Sequence, residues 1–372
     1  MTIMPRILVD ARLPWGSGIG RYVRNIVPSV AARMPSVSFT LLISPVDAER
    51  ANILAADWSN VTVKATPIGS FSLGEQTKLP GLAREYDLTW FTNYWVPLRW
   101  SGRFVTTVHD LIHLEPSFPA SAMKRIAAAR TFGKVRRDAA HIIFDSRFSA
   151  RVFEKAVGTP RKSSVVHLGI DHVGAPPVMA SGHKRGKTAL AVAAAKKHKN
   201  LPLLLDAWRE ANLKDWQLTL VTPSDDLRSS IDLTEQAERI ANVHILRGIS
   251  DTDLDALYAS AGFVLVPSRY EGFGLPLLEA MRAGAPVISS TAPSLVEVAS
   301  GALIPFVDPD DREGWIQAIR TMAIGCETAG DWQNAVSARN RVIAEGFTWD
   351  KAGAHTADIL NSALAGGSQA YQ

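Results

Sequence analysis

The chain has 372 residues but only one cysteine, Cys326. A lone thiol excludes an internal disulfide framework and any cysteine-built zinc cage. Long apolar runs are missing as well. The longest, such as TALAVAAA (188–195), reach less than half of the roughly 20 residues that a bilayer-crossing helix needs, so no membrane span is expected. The opening MTIMPRILVD runs straight into a buried-strand pattern with no apolar leader core, which points to a cytoplasmic protein. A large excess of one charge sign is missing too, the net charge being +4. Repeats of 20–50 residues are absent, and so is any nucleic-acid recognition motif.

What remains is an ordinary globular composition, 47% hydrophobic and 20% charged, in a chain long enough for two domains with a core each. Short apolar runs alternate with amphipathic segments, which predicts an α/β fold with mostly parallel sheets. Strands are expected over 6–10, 38–44, 87–93, 102–110, 141–146 and 163–171. After a break rich in Pro, Gly, His and Lys, the alternation resumes with strands over 188–195, 216–222, 242–248, 262–268 and 285–290. Helices are expected over about 21–32, 200–211 and 253–261. The expected domains are therefore 1–171 and 188–345, joined by a linker over 172–187, with a C-terminal helix in 346–372 that packs back on the first domain.

The most informative stretch is SRYEGFGLPLLEAMRAG (268–284). After an apolar strand the chain must turn sharply at Gly272 and Gly274. Pro276 then suits the first turn of a helix, where its missing N–H costs nothing. A helix N-terminus opening onto a glycine-lined loop is an anion site, and a diphosphate fits it. Glu271 before the loop and Glu279 inside the helix are placed to accept from sugar hydroxyls on either side of such a diphosphate. On spacing alone, both are equally well read as helix-start glutamates stabilised by the dipole.

SRYEGFGLPLLEAMRAGAPVISS resembles the Glu-x7-Glu signature of retaining glycosyltransferases of the GT-B fold, family GT4, including its Gly-Phe-Gly-Leu-Pro turn. The likeness extends over nearly the whole chain: GSGIGRYVRNI (16–26), TTVHDLIHLEPSFP (106–119), FDSRFSA (144–150), KKHKN (196–200), ISDTDLDALYASA (249–261) and FTWDKAGAHTADIL (347–360) follow in the family's order. The resemblance implies two Rossmann-like domains facing across a cleft, with the nucleotide-sugar donor on the C-terminal domain and the acceptor on the N-terminal one. It implies catalytic parts for Glu271, His109 and Lys199, the lysine neutralising the leaving diphosphate. Donor contacts fall to Glu279, Gly272, Phe273, Gly274, Leu275, Gly18, Gly20 and Arg247, with the arginine near the base. Asn93 and Ser146 stand on the acceptor side. No metal site and no cofactor beyond the nucleotide sugar is implied. The chain departs from the family in having His198 where an arginine is common and Ala193–Ala195 where a second cation is frequent, which weakens the expected phosphate clamp.

Charge is uneven along the chain. Residues 124–162 hold eleven Lys or Arg against Asp138, Asp145 and Glu154, either a solvated helical face or a surface for anionic lipid or a pyrophosphate-bearing partner. The resemblance and this stretch together imply transfer of a hexose, mannose favoured, to a polyprenyl-linked or oligosaccharide acceptor in cell-surface polysaccharide synthesis. The enzyme would then sit peripherally on the inner face of the cytoplasmic membrane. Two rivals keep the fold but change the function: a non-catalytic nucleotide- or glycan-binding protein, and a sugar-nucleotide epimerase. A phosphorylase would need a pyridoxal lysine in a much longer chain.

Overall fold

The computed structural model describes residues 4–118, 121–170, 185–223, 233–328 and 331–366. The chain divides into two compact units, one formed by Met1–Gly169 with Thr348–Gln372 and the other by Ile170–Phe347.

The first unit is built on a parallel sheet of β1 (Arg6–Asp10), β2 (Ser38–Ile43), β3 (Val61–Ala65), β4 (Leu88–Phe91), β5 (Phe104–Val108), β6 (His141–Phe144) and β7 (Ser163–Val165), in the order β3-β2-β1-β4-β5-β6-β7. The second has β8 (Thr188–Val192), β9 (Gln217–Thr222), β10 (Val243–Arg247), β11 (Phe263–Val266), β12 (Val287–Ser290) and β13 (Phe306–Val307), in the order β10-β9-β8-β11-β12-β13. Both are doubly wound. In each, the strand order reverses beside the first strand, between β1 and β4 and between β8 and β11, and ligands of such sheets bind outside the carboxyl ends of the strands at that reversal.

The central strands are buried end to end, their few polar residues being Thr and Ser, as in a sheet with helices on both faces. All of β4, β5, β11 and β12 is buried. The edges read differently: β3 buries only Val61 fully, and β13 is two half-buried residues. Hydroxyl caps start many of the helices, with Ser17, Ser121, Ser146, Ser250 and Thr348 each accepting from the amide three residues on.

The last helix, Trp349–Ala365, belongs to the first unit. It lies on helix Gly18–Arg33 so closely that a Cβ at Gly353 would come within 2.0 Å of Ser29 Oγ. Ser29 Oγ donates to the Trp349 carbonyl at 3.1 Å, and Arg33 pairs with Asp350. The expected linker 172–187 falls outside the described residues up to 184. Arg185, at its end, is tied into the second unit, donating to the carbonyls of Tyr258, Ala259, Ala261 and Ala283.

Candidate active site

In the second unit, two loops meet where the strand order reverses. The loop after β8 carries Lys196–Asn200, and its shape is fixed by Asn200, a buried residue in the left-handed region at φ 59°, which asparagine tolerates. Its amide spans two neighbouring segments, donating to the carbonyls of Pro267 (3.2 Å) and Pro309 (2.6 Å). The Arg269 amide adds a bond to the His198 carbonyl at 2.8 Å. So pinned, the loop after β8 delivers Lys199 to Glu271 in the loop after β11.

Lys199 Nζ lies 2.6 Å from Glu271 Oε1 and 2.7 Å from Oε2. Ser268 Oγ donates to the same Oε1 at 2.7 Å, and Ser294 Oγ holds the Glu271 carbonyl at 2.8 Å. Burial alone would raise the Glu271 carboxyl pKa. The Lys199 charge and hydrogen bond, with Ser268 and His198, outweigh it and hold the group below the usual carboxylate range. An ammonium carries three donors, so two on the carboxylate leave a third for another acceptor.

Beyond Glu271 the chain turns at Gly274, whose φ of 130° needs glycine. A Cβ there would also meet Leu295 Cδ2 at 2.6 Å. Helix Leu275–Arg282 follows without a side-chain cap. The amides of Leu277 and Leu278 turn back to the Gly274 carbonyl. Glu279, on the buried face, accepts from the Tyr258 hydroxyl at 2.9 Å. Phe273 is buried with its ring 5.8 Å from that of Phe347. Arg247 ends the edge strand β10, exposed and bonded to Thr234. The second unit therefore gathers Lys199 and Glu271 into one hydrogen-bonded group, with Glu279 one helical turn into the next element.

In the first unit, His109 follows β5. Its Nδ1 is 2.6 Å from Asp145 Oδ2 and its Nε2 is 2.8 Å from the Thr92 carbonyl. Both ring nitrogens therefore face acceptor oxygens, and a ring protonated on both satisfies them. Burial pushes the His109 pKa down, but Asp145, the Thr92 carbonyl and Asp110 push harder, and the net direction is up. Tyr22 stands edge-on to the imidazole at 4.9 Å. The His109 carbonyl accepts from Ser149 Oγ at 3.3 Å, and Ser146, fully buried, caps the helix that carries Ser149. Asp110 accepts from the Ile112 amide, bracing the loop. Asn93 is nearly buried and accepts from the Trp95 amide at 2.7 Å. Gly18 opens its helix, whereas the Gly20 amide is occupied by Ser17 Oγ at 3.1 Å. Glycine at 20 has a packing reason too: a Cβ would sit 2.2 Å from the Trp15 carbonyl oxygen.

Two family models match the chain: "Glycosyltransferase Family 4" over residues 16–173 and "Glycosyl transferases group 1" over residues 180–335. The chain belongs to the family 4, group 1 glycosyltransferases. These are retaining enzymes on the GT-B fold. Among curated relatives of this family member, the O-antigen chain mannosyltransferase B of Escherichia coli is 37% identical over 118 residues, 32% of this chain and 30% of that protein. The MMP alpha-(1->4)-mannosyltransferase of Mycolicibacterium hassiacum is 29% identical over 219 residues, 56% of this chain and 50% of that one. The matches thus span a third to a half of those relatives' length. The fold matches that of Anabaena HepE, solved with UDP and glucose, at a TM-score of 0.74 and 19% identity, over 96% of this chain and 100% of that one.

Several residues of this family member were not singled out from its sequence. Asn200, Ser268, Ser294 and Tyr258 position the second unit's carboxylates. Asp145 and Tyr22 flank His109. Arg12, Asp10 and Glu75 form a buried charge cluster at the end of β1. The asparagine after Lys199 was the one local signal available, since a left-handed turn favours it. The basic stretch is not one uniform charged face. Lys134 is buried and donates to the Trp100 carbonyl (2.8 Å) and Asp138 (2.9 Å), so it is a packing residue. Lys124, Arg125, Arg130 and Arg137 do face outward on helix Ala122–Asp138, beside exposed Met123 and Ile126. A groove of about 580 Å³ there is lined by Leu98, Ile126, Arg130 and Arg137. Among the described residues no helix is long and apolar enough to cross a membrane.

Proposed function

We propose that this protein transfers a hexose, mannose favoured, from a nucleotide-diphosphate sugar to a hydroxyl of a lipid-linked or oligosaccharide acceptor, with retention. The observation that carries the reading is the Lys199–Glu271 pair at the reversal point of the second sheet. A cation already seated there, with one donor uncommitted, is placed to take a phosphate oxygen of the donor. As the glycosidic bond breaks, negative charge grows on the leaving diphosphate, and a fixed ammonium stabilises it more than the ground state. Glu271, ionised by the same pair, accepts from the sugar, and Glu279, steadied by Tyr258, accepts from ribose hydroxyls. The acceptor hydroxyl then attacks from the face that the diphosphate leaves, and the departing phosphate oxygen takes its proton, so no carboxylate base is required.

In the first unit the doubly bonded His109 ring has no nitrogen left over for proton transfer. Its role in this reading is a fixed charge and shape at the carboxyl end of β5, with Gly18, Asn93 and Ser146 at other element ends of the same unit. The mannosyltransferase names of the relatives favour mannose and a cell-surface acceptor. The outward cations of helix Ala122–Asp138, with Met123 and Ile126 among them, suit peripheral contact with an anionic bilayer.

The test is a thermal-shift panel of GDP, UDP, ADP and dTDP with their sugar conjugates, on wild type and Glu279→Ala. Selective stabilisation by one nucleotide, reduced in the variant, is expected. Equal stabilisation of the variant removes Glu279 from the donor site, and no stabilisation by any nucleotide refutes donor binding.

A further inference from the structure

The first unit spends buried charge on holding an exposed aromatic ring. Phe71 is 56% exposed, yet its backbone sits in the left-handed region at φ 61°, where a non-glycine residue is strained. Its amide donates to Glu75 Oε2 at 2.8 Å, and Trp95 Nε1 donates to the same oxygen at 2.6 Å. The other Glu75 oxygen is gripped by Arg12, which also binds both oxygens of Asp10 at 2.8 Å. Glu75 is 1% exposed. The Phe71 and Trp95 rings lie 5.0 Å apart at 53°. Trp95 is half-buried, and its own amide is fixed by Asn93.

Asp10 ends β1 and Asn93 follows β4 by two residues, so the brace stands at the carboxyl ends of the two strands where the order reverses, the place at which doubly wound sheets bind ligands. Phe71 leaves more than half of its surface outside the packing of the unit. A rigid pair of aromatic rings beside a polar amide is the form of a carbohydrate subsite, in which ring faces cover the apolar side of a pyranose and few polar groups orient it. Insertion into a bilayer scales with apolar area and gains nothing from a fixed ring angle.

We infer that Phe71 and Trp95, held by the Asp10–Arg12–Glu75 brace, form a stacking platform for a neutral pyranose unit of the acceptor. This rests on the glycosyltransferase reading above and deepens its acceptor side.

The experiment is saturation-transfer NMR on the full chain with methyl hexopyranosides and mannobiose, comparing wild type, Phe71→Gly and Trp95→Phe, with nucleotide thermal shifts and flotation with phosphatidylglycerol vesicles measured in parallel. Glycine suits the left-handed turn, so Phe71→Gly removes the ring while relaxing the backbone. Transfer to pyranose protons is expected in wild type, weakened about tenfold in Phe71→Gly, while nucleotide shifts stay unchanged. Undiminished transfer in Phe71→Gly overturns the platform. So does a loss confined to flotation with phosphatidylglycerol vesicles, which makes the ring a lipid contact. A wild type that responds to nucleotides but to no saccharide overturns the platform alone. A wild type that ignores nucleotides counts against the donor reading, and the saccharide arm still decides the platform.

Discussion

Removing the Lys199 charge should destabilise the second unit through what it leaves behind. Lys199→Met strips the counter-charge from a carboxylate that is only 11% exposed. Breaking a fully buried pair from one side costs about 3–5 kcal/mol. The residual exposure, and the Ser268 bond that survives at 2.7 Å, reduce that here to roughly 2–3 kcal/mol. Glu271→Gln leaves the ammonium, which at 18% exposed is better able to rehydrate, and should cost roughly 1–2 kcal/mol. If the lone charge is the source of both losses, the double variant falls well short of their sum, with a coupling of roughly 2–3 kcal/mol. Because the chain has two units, a single global transition is not the right measure. Native-state hydrogen exchange at the amides of Leu190 in β8 and Val264 in β11 reads the second unit directly. Additivity within about 0.5 kcal/mol refutes the reasoning. In the transfer reaction, Lys199→Met should lower kcat/KM by about 100- to 1000-fold.

Three other outcomes are expected. The Glu271 pKa is depressed, so the stability it contributes is fully present above its ordinary value of 4.5 and is lost as pH falls through its lower folded value. The stability gap between wild type and Glu271→Gln, read by hydrogen exchange at Leu190 and Val264, should close toward acid, and a constant gap down to the acid limit argues against the pair. The His109 pKa is raised, so its contribution is full below the ordinary 6.5 and is lost as pH rises through the higher folded value. In Asp145→Asn, long-range 1H–15N spectra should show the ring losing a proton at lower pH than in wild type, and an unmoved titration counts against the Asp145 contact. Gly20→Ala should cost about 1–3 kcal/mol through collision with the Trp15 carbonyl. Gly18→Ala, with open space around it, should be neutral or slightly stabilising in the first unit's melting.

The parts of this fold that showed in the sequence are those where one local pattern decides the outcome. FVLV and the Ile-Leu-Val centre of RILVD are apolar because their strands are covered on both faces, and the Gly-Phe-Gly-Leu-Pro turn announces a strand end followed by a helix. Two of the four edge strands, β3 and β13, escaped for the opposite reason. VTVKA buries one residue fully, and Phe306–Val307 is too short to establish a period. The candidate site was legible where one short continuous segment carries it, as with Glu271 and Glu279. It was illegible where partners are remote in sequence: His109 and Asp145 are 36 residues apart, Arg12 and Glu75 are 63, and no spacing rule joins them. Lys134 misled because a count of charges along a helix does not say which face each one occupies.

The last helix completes the first unit, and this has a bearing on how the molecule is made. The second unit is one unbroken stretch, Ile170–Phe347, whereas the first is split around it. On a ribosome adding about 5–20 residues per second, helix Gly18–Arg33 has emerged many seconds before Trp349–Ala365 exists. Until then Tyr22, Ser29 and Arg33 have no Trp349 or Asp350 to meet. The unit begun first is finished last, and its helix face must wait in solvent, or under a chaperone, while the inserted unit folds.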